Sequence, residues 1–105
     1  MTKKLHIDTL CVQAGYNPTK GEPRQVPIIQ STTFKYDTSE QMGKLFDLEE
    51  NGYFYTRLQN PTNDTTAAQI AAMEGGVAAM LTSSGQAANF FACFNICQAG
   101  DHMIT

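Results

Sequence analysis

The chain is 105 residues long, the size of one modest domain, and it is 42% hydrophobic but only 16% charged, a poor supply of charge for a small solvated surface. Its net charge of -3 argues against a general nucleic-acid binder, since only Lys3 and Lys4 are adjacent among the seven basic residues and clustered cations are needed to displace counterions from phosphates. The opening MTKKLHIDTL has a basic pair but no apolar h-region behind it, and no run of about 18 apolar residues occurs, so a cytoplasmic protein without a membrane span is expected.

From Met1 to Gln59 the pattern is irregular, because Asn17-Pro18, Gly21, Pro23 and Pro27 interrupt every long period. Extended and looped backbone is expected there, with two short helices. One covers about Asp8 to Ala14. The other is capped by Thr38-Ser39-Glu40 and carries Met42, Leu45, Phe46 and Leu48. The Asn60-Pro61 step opens a more regular half: Asn60 suits the N-cap, Pro61 the first helical position and Asp64 the positive end of the dipole, while Gly75-Gly76 end the helix. Its apolar face includes Ala67, Ile70, Ala71 and Met73. Val77 to Thr82 then reads as a strand buried on both faces, Gln86 to Gln98 as a helix closed by Gly100, and Met103 to Thr105 as the opening of another strand. This order is the start of an alternating α/β sheet with parallel strands. Such a sheet cannot cover its own faces and edges, so the chain is expected to be a fragment or to work only with more polypeptide.

Two features point to an anion. Thr82-Ser83-Ser84-Gly85-Gln86 lies where the expected strand turns into a helix, and there free backbone N–H groups and the helix dipole favour negative charge. An ordinary βα turn built from Ser and Gly is an equal alternative. Tyr55 and Arg57 are two apart in GYFYTRLQNPTND, so in an extended segment a phenol and a planar bidentate guanidinium leave the backbone on one side. Taken alone, the aromatic cluster packing on the body while Arg57 reaches solvent is the simpler account. GxxxxGK[ST], GxGxxG and GxSxG patterns are absent. Cys11, Cys93 and Cys97 lack CxxC spacing, and Cys93 and Cys97 sit among Phe91, Phe94 and Ile96 as expected buried small hydrophobes, so no disulfide framework and no metal site are expected. His6 and His102 have no acidic or nucleophilic partner at motif spacing, Asp101 serves the turn after Gly100, and the Asn63-Asp64-Thr65 sequon is accidental.

In order along the chain, DTLCVQAG, VPIIQSTTF, YTRLQNPTND, IAAMEGGVAA, SSGQAA and AGDHMIT resemble the N-terminal part of the Cys/Met-metabolism family of pyridoxal-phosphate enzymes. KLFDLEENGYFYTRLQNPT, the QAG and VPI signatures and Gln86 are most similar to its O-acetylhomoserine sulfhydrylases, with methionine γ-lyase, cystathionine γ-lyase and cystathionine γ-synthase as alternatives within the family and a non-catalytic assembly or interaction fragment as the alternative outside it. The resemblance implies a fold-type-I, aspartate aminotransferase-like PLP-dependent transferase, with residues 1–60 as an arm contacting a neighbouring subunit and residues 61–105 as the beginning of the large domain. It implies pyridoxal 5'-phosphate as cofactor, a homotetramer of two tight dimers, and O-acetylhomoserine and sulfide as substrates. Tyr55 and Arg57 would reach the cofactor phosphate of the neighbouring subunit, with Tyr55 also near the reacting centre, and the N–H groups of Gly85 and Gln86 would bind the phosphate of their own subunit. The Schiff-base lysine of the family would lie beyond Thr105, so this chain by itself is expected to be inactive. One departure is Thr66-Ala67, where the family usually carries Leu-Glu.

Overall fold

The structure, a computed structural model, describes residues 5–104. The Lys3-Lys4 pair and Thr105 lie outside the described residues.

Four helices follow one another: α1 (Ile7–Gln13), α2 (Ser39–Phe46), α3 (Pro61–Glu74) and α4 (Gly85–Ile96). Each begins where a side chain can accept a bond from a free N–H of the first turn. His6 caps α1, where its ring nitrogen accepts from Asp8 N at 3.4 Å and its Nδ1 lies 3.2 Å from the Asp8 carboxylate. His6 therefore has an acidic neighbour, two residues away, which the motif reading did not give it. Thr38 Oγ1 accepts from Gln41 N at 3.1 Å, and the Gln41 side chain in turn accepts from Asp37 N at 2.9 Å, a reciprocal cap for α2. Asn60 caps α3 by accepting from Thr62 N at 2.9 Å, and Gly75 ends it in the left-handed region at φ 67°. Ser84 Oγ accepts from Ala87 N at 3.1 Å to cap α4. That helix stops at Ile96, and Gly100, at φ 101°, belongs to the following turn, in which Asp101 N donates to Gln98 O.

The expected strands are corrected by the structure. Val77–Thr82 forms no ladder among the described residues, and Val77 is wholly exposed rather than buried on both faces. Residues 103–104 are likewise neither paired nor buried. A parallel strand exists only through neighbours of distant sequence, and among the described residues none lies beside these segments. For the same reason Cys93 is exposed and Cys97 only half-buried, against the expectation of buried thiols.

The core is confined to the first seventy residues or so: among the described residues the buried apolar side chains are Leu45, Phe54 and Ala71. Phe54 packs on Phe46 of α2 with ring centroids 4.6 Å apart. The helix α1 packs on α3, where Ala71 is buried, Ala67 and Met73 are half-buried, and Ile70 is 37% exposed. Cys11 Sγ of α1 lies 3.3 Å from Met73 Sδ, and the Gln69 side chain donates to the last carbonyls of α1 at Leu10 and Cys11. Gly15, at φ 82°, lets the chain leave α1 directly against the α3 backbone.

Candidate functional site

The arm residues Tyr55 and Arg57 are held by a mesh of hydrogen bonds between two distant stretches, Pro27–Phe34 and Phe54–Thr62. Thr33 and Tyr55 form an antiparallel bridge, flanked by Phe34 N to Phe54 O at 3.3 Å and Thr56 N to Thr32 O at 2.9 Å. This pairing spends one side of the Phe54–Thr56 backbone on Thr32–Phe34. After Tyr55 the chain turns rather than staying extended, as Leu58 N and Gln59 N both donate to Tyr55 O, at 3.0 and 3.1 Å. The extended geometry expected for Tyr55-Thr56-Arg57 is thus corrected, yet the two side chains still meet. Arg57 Cζ sits 5.2 Å from the centroid of the Tyr55 ring. A guanidinium over an aromatic face is attracted by the ring quadrupole and keeps its N–H fork in its own plane, free for an anion. Tyr55 is half-buried and Arg57 exposed.

Tyr55 also lines one wall of a depression of about 480 Å³, together with Thr33, Phe34, Met42, Phe46 and Phe54. Tyr53 stands beside it, its ring 5.6 Å from Phe34. Burial first, and then the facing Asp64 carboxylate of the first turn of α3, push the Tyr53 phenol above its usual pKa. It therefore remains neutral through the physiological range.

The second half of the expected site is the start of α4. Gly85 and Gln86 are its first two residues, whose N–H groups have no acceptor inside the helix. A Cβ built on Gly85 would meet nothing within 4 Å, so a ligand can approach the backbone from that side. With Ser84 Oγ turned to Ala87 N, the N–H groups of Gly85 and Gln86 are left for an outside acceptor. An exposed, dipole-favoured pair of donors fits a phosphate.

The structure brings Tyr55 to Arg57 and Gly85 to Gln86, but it does not join the two pairs. The depression at Tyr55 has no α4 residue in its walls, and the one formed by Met80, Thr82 and α4 has no arm residue. The sequence reading also missed what Asn60 does beyond capping. Its amide donates to Ile29 O at 3.0 Å and to Thr56 Oγ1 at 3.1 Å while its oxygen caps α3. The signal was available in principle, since a capping Asn keeps two N–H donors to spend and Asn60 is followed by the rigid Pro61.

Comparison with known proteins gives a consistent picture. The profile of the Cys/Met metabolism PLP-dependent enzyme family matches residues 8–105. The chain is 42% identical over 105 residues to O-acetyl-L-homoserine sulfhydrylase 1 of Thermus thermophilus, covering 96% of this chain and 24% of that protein. It is 43% identical over 104 residues to an L-methionine gamma-lyase of Fusobacterium nucleatum, covering 99% of this chain and 26% of that one. A crystal structure from Campylobacter jejuni, assigned as an O-acetylhomoserine (thiol)-lyase and carrying a pyridoxyl-lysine monophosphate, superposes with a TM-score of 0.82 at 35% identity over 92% of this chain and 23% of that one. The chain therefore spans about a quarter of the length of the curated relatives it matches.

Proposed function

Because this chain belongs to the Cys/Met metabolism PLP-dependent enzyme family, whose cofactor is pyridoxal phosphate, we propose that it is the N-terminal quarter of an O-acetylhomoserine sulfhydrylase. The full-length protein would convert O-acetyl-L-homoserine and sulfide to L-homocysteine and acetate. The observation that carries the site is the exposed Arg57 fork stacked on Tyr55, and the open, donor-rich start of α4 at Gly85, which lies apart from it in this chain, is the second anion-favouring feature. Identity with the Thermus sulfhydrylase supports the choice of reaction.

In this reading residues 1–60 form an arm that reaches a neighbouring copy and residues 61–105 begin the large cofactor domain. The backbone N–H groups of Gly85 and Gln86 hold the cofactor phosphate of their own subunit, with the α4 dipole adding to the attraction. Arg57 supplies two parallel N–H donors to the phosphate of the neighbour, and Tyr55 orients that fork from below. The Tyr55 hydroxyl would take or give a proton near the reacting carbon. Bound pyridoxal phosphate supplies the electron sink that lets a leaving group depart from Cγ. A site completed by two copies makes the full-length protein a homo-oligomer.

The identity with the Fusobacterium enzyme favours one alternative, a methionine gamma-lyase. Purified full-length protein is offered O-acetylhomoserine with sulfide, and separately methionine. Homocysteine and acetate from the first mixture support the sulfhydrylase. Methanethiol and 2-oxobutanoate from the second, with no homocysteine from the first, overturn it in favour of the lyase.

A further inference from the structure

We propose that Asn60, acting through the Thr56 hydroxyl, is the positioning residue that sets the Tyr55–Arg57 pair against the start of α3, so that it fixes the grip on the cofactor phosphate without touching the cofactor. The inference rests on Arg57 being a phosphate ligand, and it adds the device that holds that ligand in place.

Asn60 is buried, with 3% of its surface exposed, and all three of its side-chain bonds are directed. Its oxygen takes the N–H of Thr62, and its amide donates to Ile29 O and to Thr56 Oγ1. The Thr56 hydroxyl passes the connection on by donating to Ser31 O, and the Thr56 N–H donates to Thr32 O. Thr62 closes the ring from the helix side, accepting from Ile29 N and donating to Pro27 O, both at 2.9 Å. Thr56 is the residue between Tyr55 and Arg57, so its anchoring at both side chain and backbone decides where the turn aims the guanidinium. An N-cap needs only the Asn oxygen. The two amide bonds serve no helix, and a buried donor is costly unless it is matched.

The test separates cap from clamp. Asn60→Asp keeps an acceptor for Thr62 N but removes both amide donors, and Thr56→Val removes the hydroxyl at nearly constant volume. Apo full-length protein is titrated spectroscopically with pyridoxal phosphate and with pyridoxal, which lacks the phosphate, and helix content is followed by circular dichroism. Both variants are expected to bind pyridoxal phosphate about five- to tenfold more weakly while binding pyridoxal as the unaltered protein does, which is the loss of one or two neutral hydrogen bonds expressed at the phosphate. Arg57→Ala is the control, and Arg57→Ala combined with Thr56→Val should be no weaker than Arg57→Ala alone. Unchanged affinity in Arg57→Ala sinks the phosphate-ligand reading itself. A full effect in Arg57→Ala with none in Thr56→Val, or an equal loss for both aldehydes, overturns the positioning role and leaves that reading standing. Should Asn60→Asp fail to fold, Thr56→Val alone decides.

Discussion

Gly15 owes its identity to a neighbour fifty residues away. Its φ of 82° already disfavours any side chain, and a Cβ there would press on the carbonyl oxygen of Thr65 and lie 2.7 Å from Gln69 N. Both are backbone atoms inside α3 and cannot give way without bending the helix. Gly15→Ala is therefore expected to destabilise the full-length protein by about 2–4 kcal/mol, through strain and overpacking together. Chemical denaturation measures it, and a loss below half a kcal/mol would show that the α1–α3 contact is not held in the assembled protein. The sequence displays QAG as a pattern but not its cause, because the clash that demands glycine is with a distant segment. Arg57 differs: its stacking on Tyr55 is a local matter of two residues, and the pairing was legible even though the turn that produces it was not.

Among the elements, the helices were the readable part. Asn60, Pro61, Asp64 and Gly75 mark both ends of α3 in the sequence, and the observed Pro61–Glu74 agrees, since caps act within four residues of the chain. Val77–Thr82 was misread for the complementary reason: its apolar run is real, but a strand is made by partners. The end of α2 was also missed. Leu48 N donates to Leu45 O and Glu49 N to Lys44 O, a Schellman closure with Leu48 itself in the left-handed region at φ 58°. A leucine there bears a steric penalty that glycine avoids, and Leu48 is 80% exposed, with little packing to lose. Leu48→Gly should raise stability by about 0.5–1 kcal/mol, read as an upward shift in melting temperature. A fall would mean that the side chain is covered in the oligomer.

At the scale of the whole chain, the radius of gyration is 17.3 Å, where a compact domain of this length has about 13 Å. The excess has a chemical counterpart in α4, where Phe90, Phe91, Phe94 and Ile96 are all exposed and Phe90 stacks on Phe94 at 5.3 Å. Exposed apolar surface of this extent belongs under other protein. The 105-residue chain produced alone is expected to bind a hydrophobic dye and to aggregate without a defined size, while the full-length protein binds no dye and sediments as one defined oligomer; dye fluorescence with sedimentation checks both. No helix among the described residues is long and apolar enough to cross a membrane, so a bilayer is not what covers α4 as a span.

The mesh around Asn60 also has a consequence in time. Residues 27–31 find their hydrogen-bond partners 25 to 35 positions further along, at Thr56, Asn60 and Thr62. A ribosome delivers the earlier stretch first, so it leaves the exit tunnel while its partners are still enclosed. The arm must wait unregistered until α3 has begun to emerge, and any holding chaperone would meet it in that interval.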